Sequence, residues 1–193
     1  MNFSKTFRKG ARKKGIEQTW LATKIHVAKS TLNGYFNGEN TPLDNAVKIT
    51  KEFDDFETSM SFANQVLGLF KLFTGPRFKH DVLSIDAFTA KEDSEADEAY
   101  ARDHIRWLLA DEDLSHEKKK ALENFGAEDL DNILMHLERL DKICERTGIT
   151  PMAMFARRMP YYVKQGYMTV EDLTDNQRHN YCQTLRGSGS DGI

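Results

Sequence analysis

The chain has 193 residues, 39% hydrophobic and 30% charged, with a formal net charge of −3. That length supports one large or two small domains, each with its own core, and the composition is ordinary for a soluble, helix-rich protein. No apolar run approaches the ~18 residues of a membrane span, and the basic start MNFSKTFRKGARKKG lacks the apolar stretch of a secretory signal. Cys144 and Cys182 lie far apart without metal-ligand spacing and read as cytosolic thiols. The small net charge hides an asymmetry. Residues 1–51 hold ten Lys or Arg against three acids, whereas residues 91–146 hold nine against seventeen. A basic head suits a polyanion, and an acidic body would be repelled by one.

In chain order, Asn2 or Ser4 can cap a first helix reaching about Lys14, with Phe3, Phe7 and Ala11 as its core stripe. Lys5, Arg8, Lys9, Arg12 and Lys13 spread over its remaining faces and supply non-specific attraction to phosphate. The stretch Gln18 to Pro42 then has the spacing of two short helices meeting at a tight corner. Leu21, Ala22 and Ile25 share one face of the first; Leu32, Tyr35 and Phe36 repeat at i, i+3, i+4 on the second. Between those apolar positions lie Lys29, Ser30, Thr31, Asn33 and Asn37, an outer face of short polar groups and one cation suited to the major groove. Asn37-Gly38 stops that helix, because Gly and Asn tolerate a left-handed cap.

The pattern Q-x-x-L-A, V-x-x-x-x-L, F-N-G-x-N-x-P resembles the helix-turn-helix of the phage repressor (Xre/Cro/cI-type) family, most closely its lambda-repressor-like heads. The resemblance covers roughly residues 3 to 70. It implies DNA contact by Gln18 and Thr19 at the start of the first motif helix, with Gln18 on a phosphate. It also implies base contact by Lys29, Ser30, Thr31 and Asn33, and backbone or base contact by Asn37 and Asn40. At the corner the family usually has Gly where this chain has His26, a position that tends to need positive φ. Histidine is among the residues that tolerate it.

Leu43, Ala46, Val47, Ile49 and Phe53 predict a fourth helix, and the apolar run Phe56 to Phe73 predicts a fifth, for a seam between domains, a dimer, or its own chain's core. Thr74-Gly75-Pro76 marks a break. Residues 77–93 have no clear period and read as a linker with a short strand or irregular arm. Beyond it the period is helical. Helices are expected over Ser94–Ala110, from Ser115 to near Phe125-Gly126, and over Glu128–Thr147. The last carries a stripe of Leu130, Ile133, Leu134, Leu137, Leu140, Ile143 and Cys144 fit for a bundle or an intermolecular seam. Thr150-Pro151 opens another helix, which Pro160 kinks or stops, and Thr169 with Asp172 starts a last one reaching Leu185. The Met and aromatic cluster from Met152 to Tyr167 reads as core, or as a surface for a partner.

The expected fold is all-α: a five-helix head over 1–73, a linker over 74–93, a helical bundle over 94–186 and a Gly/Ser-rich tail over 187–193. The scattered histidines form no metal site, no cofactor is implied, and the adjacent acids Asp111, Glu112 and Asp113 read as a solvated helix end. No enzyme is expected. Self-cleavage of the kind some repressors use would need strands and an activated serine, which the helical second half does not offer. The expected function is a sequence-specific regulator of transcription, a phage or mobile-element repressor bound to an inverted-repeat operator as a homodimer. Its place is the cytoplasm, at the nucleoid, away from membranes, and an antirepressor protein is a possible partner. The alternative is a DNA-tethered interaction protein, an antitoxin or antirepressor target, whose helical half binds another protein.

Overall fold

A computed structural model describes residues 1–173, and within them every regular element is helical. The first five helices are α1 (Ser4–Lys14), α2 (Gln18–Lys24), α3 (Lys29–Phe36), α4 (Leu43–Phe53) and α5 (Phe56–Leu67). They share one core. Phe3, Phe7 and Ala11 of the first helix region pack with Leu21, Ala22, Ile25, Leu32, Tyr35, Phe36, Ala46, Ile49 and Phe53. Phe7 sits at its centre, its ring 5.7 Å from Phe3, 5.8 Å from Phe36 and 6.4 Å from Phe53. Leu43 does not join this core; it is exposed at the first turn of α4.

Each of the first helices stops for a local reason. At the end of α1, Gly15 adopts φ 64°, and the Ile16 N–H donates to the Ala11 carbonyl at 3.0 Å. At the end of α3, Gly38 has φ 107° and the Glu39 N–H donates to the Gly34 carbonyl at 3.0 Å. Both are left-handed terminations that satisfy carbonyls of the last turn. The fifth helix is shorter than its apolar run suggests: Gly68, at φ 70°, ends it after Leu67. Beyond that cap Leu69 and Phe70 are exposed, while Leu72 is buried.

The expectation of a linker across 74–93 is corrected from Val82 onward. That residue begins α6 (Val82–Arg102), with the Asp81 carboxylate accepting the Ser84 N–H at 2.9 Å as its cap. The helix buries only a narrow strip, Ile85, Thr89, Ala96 and Ala99, so its weak apolar period hid it. His104, with φ 50°, turns the chain into α7 (Ile105–Leu109), so Ser94–Ala110 is not one helix. Then α8 (His116–Thr147) runs straight through Gly126, where the sequence suggested a stop. Gly126 costs a helix about 1 kcal/mol relative to Ala, which 32 residues of helix absorb. Thr89 and Asp93 of α6 meet Met135 and His136 of α8, and Tyr100 meets Phe125, so the two helices run antiparallel.

Residues Met1–Ile143 form one compact unit, and the described residues from Cys144 onward belong to a second. In the second, Thr150 caps α9 (Pro151–Lys164) by accepting the Ala153 N–H at 3.2 Å. Pro160 lies inside α9 and does not end it. Thr169 and Asp172 make the expected capping box, on a short 3-10 turn over Val170–Asp172. The last helix to Leu185 and the tail lie outside the described residues. No helix among those described is long and apolar enough to cross a membrane.

Candidate nucleic-acid interface

The corner between α2 and α3 is built from backbone hydrogen bonds. The Val27 N–H donates to the Ala22 carbonyl at 3.0 Å and the His26 N–H to the Thr23 carbonyl at 3.3 Å. This paired termination requires a left-handed residue between them, and His26 supplies it at φ 59°. Ala22 is 3% exposed at the crossing, where a larger side chain would hold the helices apart.

That corner fixes which side of α3 faces outward. Leu32, Gly34, Tyr35 and Phe36 are buried, whereas Lys29, Ser30, Thr31 and Asn33 are exposed. Asn37 and Asn40 are exposed beyond the helix end, and the Asn37 side-chain amide donates to the Asn33 side-chain oxygen at 3.2 Å. Asn33 and Asn37 therefore present one joined amide surface. On α2, Thr19 is exposed and Gln18 half-buried. Neither α2 nor α3 has a side-chain cap at its start, which leaves the first-turn N–H groups of α3 open to an anion. Tyr35, on the inner side, accepts a hydrogen bond from Asn45 at 3.1 Å and ties α3 to α4.

The cations of α1 separate into two ridges. Arg8 and Arg12, four apart, line a groove with Gln18 and Phe36. Arg8 Nε donates to the Phe36 carbonyl at 2.7 Å, placing a positive charge at the C-terminal end of α3. Lys9 and Lys13 form the other ridge and meet acids: Lys9 pairs with Glu57, and Lys13 lies 2.9 Å from Asp55 and 3.7 Å from Asp141. Burial by itself would raise the Asp55 carboxyl, but hydrogen bonds from the Thr58 hydroxyl, Lys13 and the Thr58 N–H outweigh it and hold it below the usual range. Sequence reading assigned no single cation of this helix. The signal was present in the spacing, since i, i+4 pairs share a ridge.

Glu39 was not anticipated at this surface. Its carboxylate lies against Gly34, so a negative charge borders the polar face of α3. Among the described residues, the candidate metal-binding acids Glu92, Glu95 and Glu128 lie outside this surface. Comparison with models of protein families, with curated proteins and with solved structures gives no match.

Proposed function

We propose that the chain is a sequence-specific transcriptional regulator. Its residues 1–73 act as a lambda-repressor-like helix-turn-helix head on double-stranded DNA, and it represses from an inverted-repeat operator of phage or mobile-element type as a dimer. The observation that carries this reading is the exposed ridge Lys29, Ser30, Thr31 and Asn33, on a helix whose other side is buried and whose approach is flanked by Arg8, Arg12 and Gln18.

The binding sequence follows from the charges. Arg8 and Arg12 attract backbone phosphate from a distance and Gln18 fixes register on it. The start of α3 then enters the major groove, where Lys29 can reach guanine or phosphate, Ser30 and Thr31 either partner of a base pair, and Asn33 an adenine edge. One head reads few bases, so two heads on a two-fold site supply the remaining specificity, with half-sites about 34 Å or a multiple apart. The acidic body holds the heads together. In support, Leu130, Ile133 and Ile143 on α8 are each more than 40% exposed, apolar surface that a monomer leaves in water.

Selection of bound DNA from a random library by the full chain tests the proposal. The expected product is one motif in two inverted copies about a helical turn apart. Salt-sensitive binding that enriches no sequence would remove the regulator reading.

A further inference from the structure

Phe73, Phe78 and Phe88 line a cavity of about 200 Å³ with Met135, Glu92 and Asp131. The two helices build it alike. On α6, Phe88 and Glu92 stand four apart, and on α8, Asp131 and Met135 do the same, so each helix turns one apolar and one acidic side chain toward the same space. The Phe78 ring bridges the walls, 5.1 Å from Phe73 and 6.2 Å from Phe88. Phe73 is held by its backbone, whose N–H donates to Glu138 at 2.8 Å.

The charge at this cavity selects among ligands. Glu92 is also one of three acids, with Glu95 and Glu128, whose carboxylate oxygens gather within 4.8 Å. An anion would be repelled. Lys91 pairs with Glu92 and Glu95, but it is exposed, and such surface pairs are worth at most about 1 kcal/mol. A wholly apolar ligand would leave the carboxylates without a role. A metal ion would gain nothing from three phenyl rings. An alkylated ammonium ion matches both parts: its methyl groups lie on ring faces, which attract cations, and its charge faces the acids. The volume is below the ~300 Å³ of pockets that take drug-sized molecules, so the fit is to one small head group.

We propose that this cavity is a binding site for a small organic cation, a quaternary or alkylated ammonium compound, held between the three phenylalanine rings and the carboxylates of Glu92 and Asp131. Five of the six lining residues come from the chain beyond the head and Phe73 is the head's last residue, so the site does not depend on DNA binding by the helix-turn-helix.

Calorimetric titration of the full chain with choline, and in parallel with its uncharged isostere 3,3-dimethylbutan-1-ol, tests it. Choline is expected to saturate one site on the order of a millimolar or tighter, and the alcohol to bind about tenfold more weakly or not at all. Glu92→Gln, which keeps side-chain size, and Phe78→Leu, which keeps an apolar side chain but removes the ring, should each weaken choline several-fold while the chain still unfolds cooperatively. Phe155→Leu, outside the cavity, should leave it unchanged. Equal binding of alcohol and choline, a non-saturating choline titration, or choline affinity untouched by both cavity variants would overturn the proposal.

Discussion

A histidine at φ 59° is held there by its neighbours, because the Val27 and His26 N–H groups close the end of α2 only if residue 26 is left-handed. The conformation costs a side-chain-bearing residue about 1–2 kcal/mol, less for His than for a β-branched residue. His26→Val should therefore lower stability by about 1–2 kcal/mol. His26→Gly should be neutral or slightly stabilising, since relief of the backbone is offset by a freer unfolded chain. Urea unfolding of the two variants checks the pair, and equal losses would show that the imidazole itself matters. Asn33 poses the corresponding question for recognition. Its side-chain oxygen accepts from Asn37, so the two amides can turn together toward a base. Asn33→Ala is expected to relax preference at one base position and cost about 1–3 kcal/mol on the preferred operator. Arg8→Ala should instead weaken all sequences alike and flatten the salt dependence, which electrophoretic titration at two salt concentrations would separate.

Among the helices, two interior glycines differ in what surrounds them. A Cβ on Gly10 in α1 would lie 2.7 Å from the buried Phe53 ring and 3.0 Å from Thr58 Oγ1. On Gly34 in α3 its nearest neighbours would be the carboxylate atoms of Glu39, at the end of a flexible side chain. Alanine gains roughly 1 kcal/mol over glycine inside a helix, whereas overpacking costs roughly 1–3 kcal/mol. Gly10→Ala should thus lose about 1–2 kcal/mol by forcing α1 away from α4 and α5. Gly34→Ala should gain up to about 1 kcal/mol as Glu39 moves aside. Thermal unfolding of both decides it, and a stabilised Gly10→Ala would mean that the contact between α1 and α4 is looser than these distances imply. The same contact explains why α1 needs a small residue at position 10, just before Ala11, in a helix whose remaining residues are mostly charged.

For the molecule as a whole, the meeting of head and body makes stability depend on pH in two opposite senses. Glu138 of α8 accepts the Phe73 N–H and is 3% exposed. Burial raises its pKa to about 7, with the charges of Glu57 and Asp141 adding to the rise and the Phe73 N–H and Lys142 opposing it. An unfolded glutamate titrates near 4.3, so the folded chain keeps this proton more tightly than the unfolded chain. The stability it contributes is full below pH ~4.3 and is lost as pH rises through about 7, on the order of 3–4 kcal/mol. Asp55 acts the other way: held low by Thr58 and Lys13 against its burial, it contributes stability above pH ~3.9 that is lost below it. The unfolding temperature should peak near pH 4–5 and decline toward pH 8. Glu138→Gln, which keeps an acceptor for Phe73, should abolish most of that decline, and an unchanged slope would assign it elsewhere.

What the sequence determined by itself was local. Helix period and spacing indicate α1 to α4, the buried stripe of Phe3, Phe7 and Ala11, the stop at Asn37-Gly38 and the polar outer face of α3, and the family resemblance implies the left-handed demand on His26. These features follow from residues within a few positions of one another, where helical periodicity and capping act. Other features were decided at a distance. The ridges Arg8/Arg12 and Lys9/Lys13 are equivalent in spacing, and only the placement of Asp55, Glu57 and Asp141 turns the lysines toward acids and leaves the arginines beside Gln18. Likewise α6 has too narrow an apolar strip to announce itself, and its buried side meets α8 at Thr89, whose hydroxyl reaches the Met135 carbonyl 46 positions along. Local propensity cannot encode which partner a face meets, because that depends on which distant surfaces remain to be buried once each helix has formed.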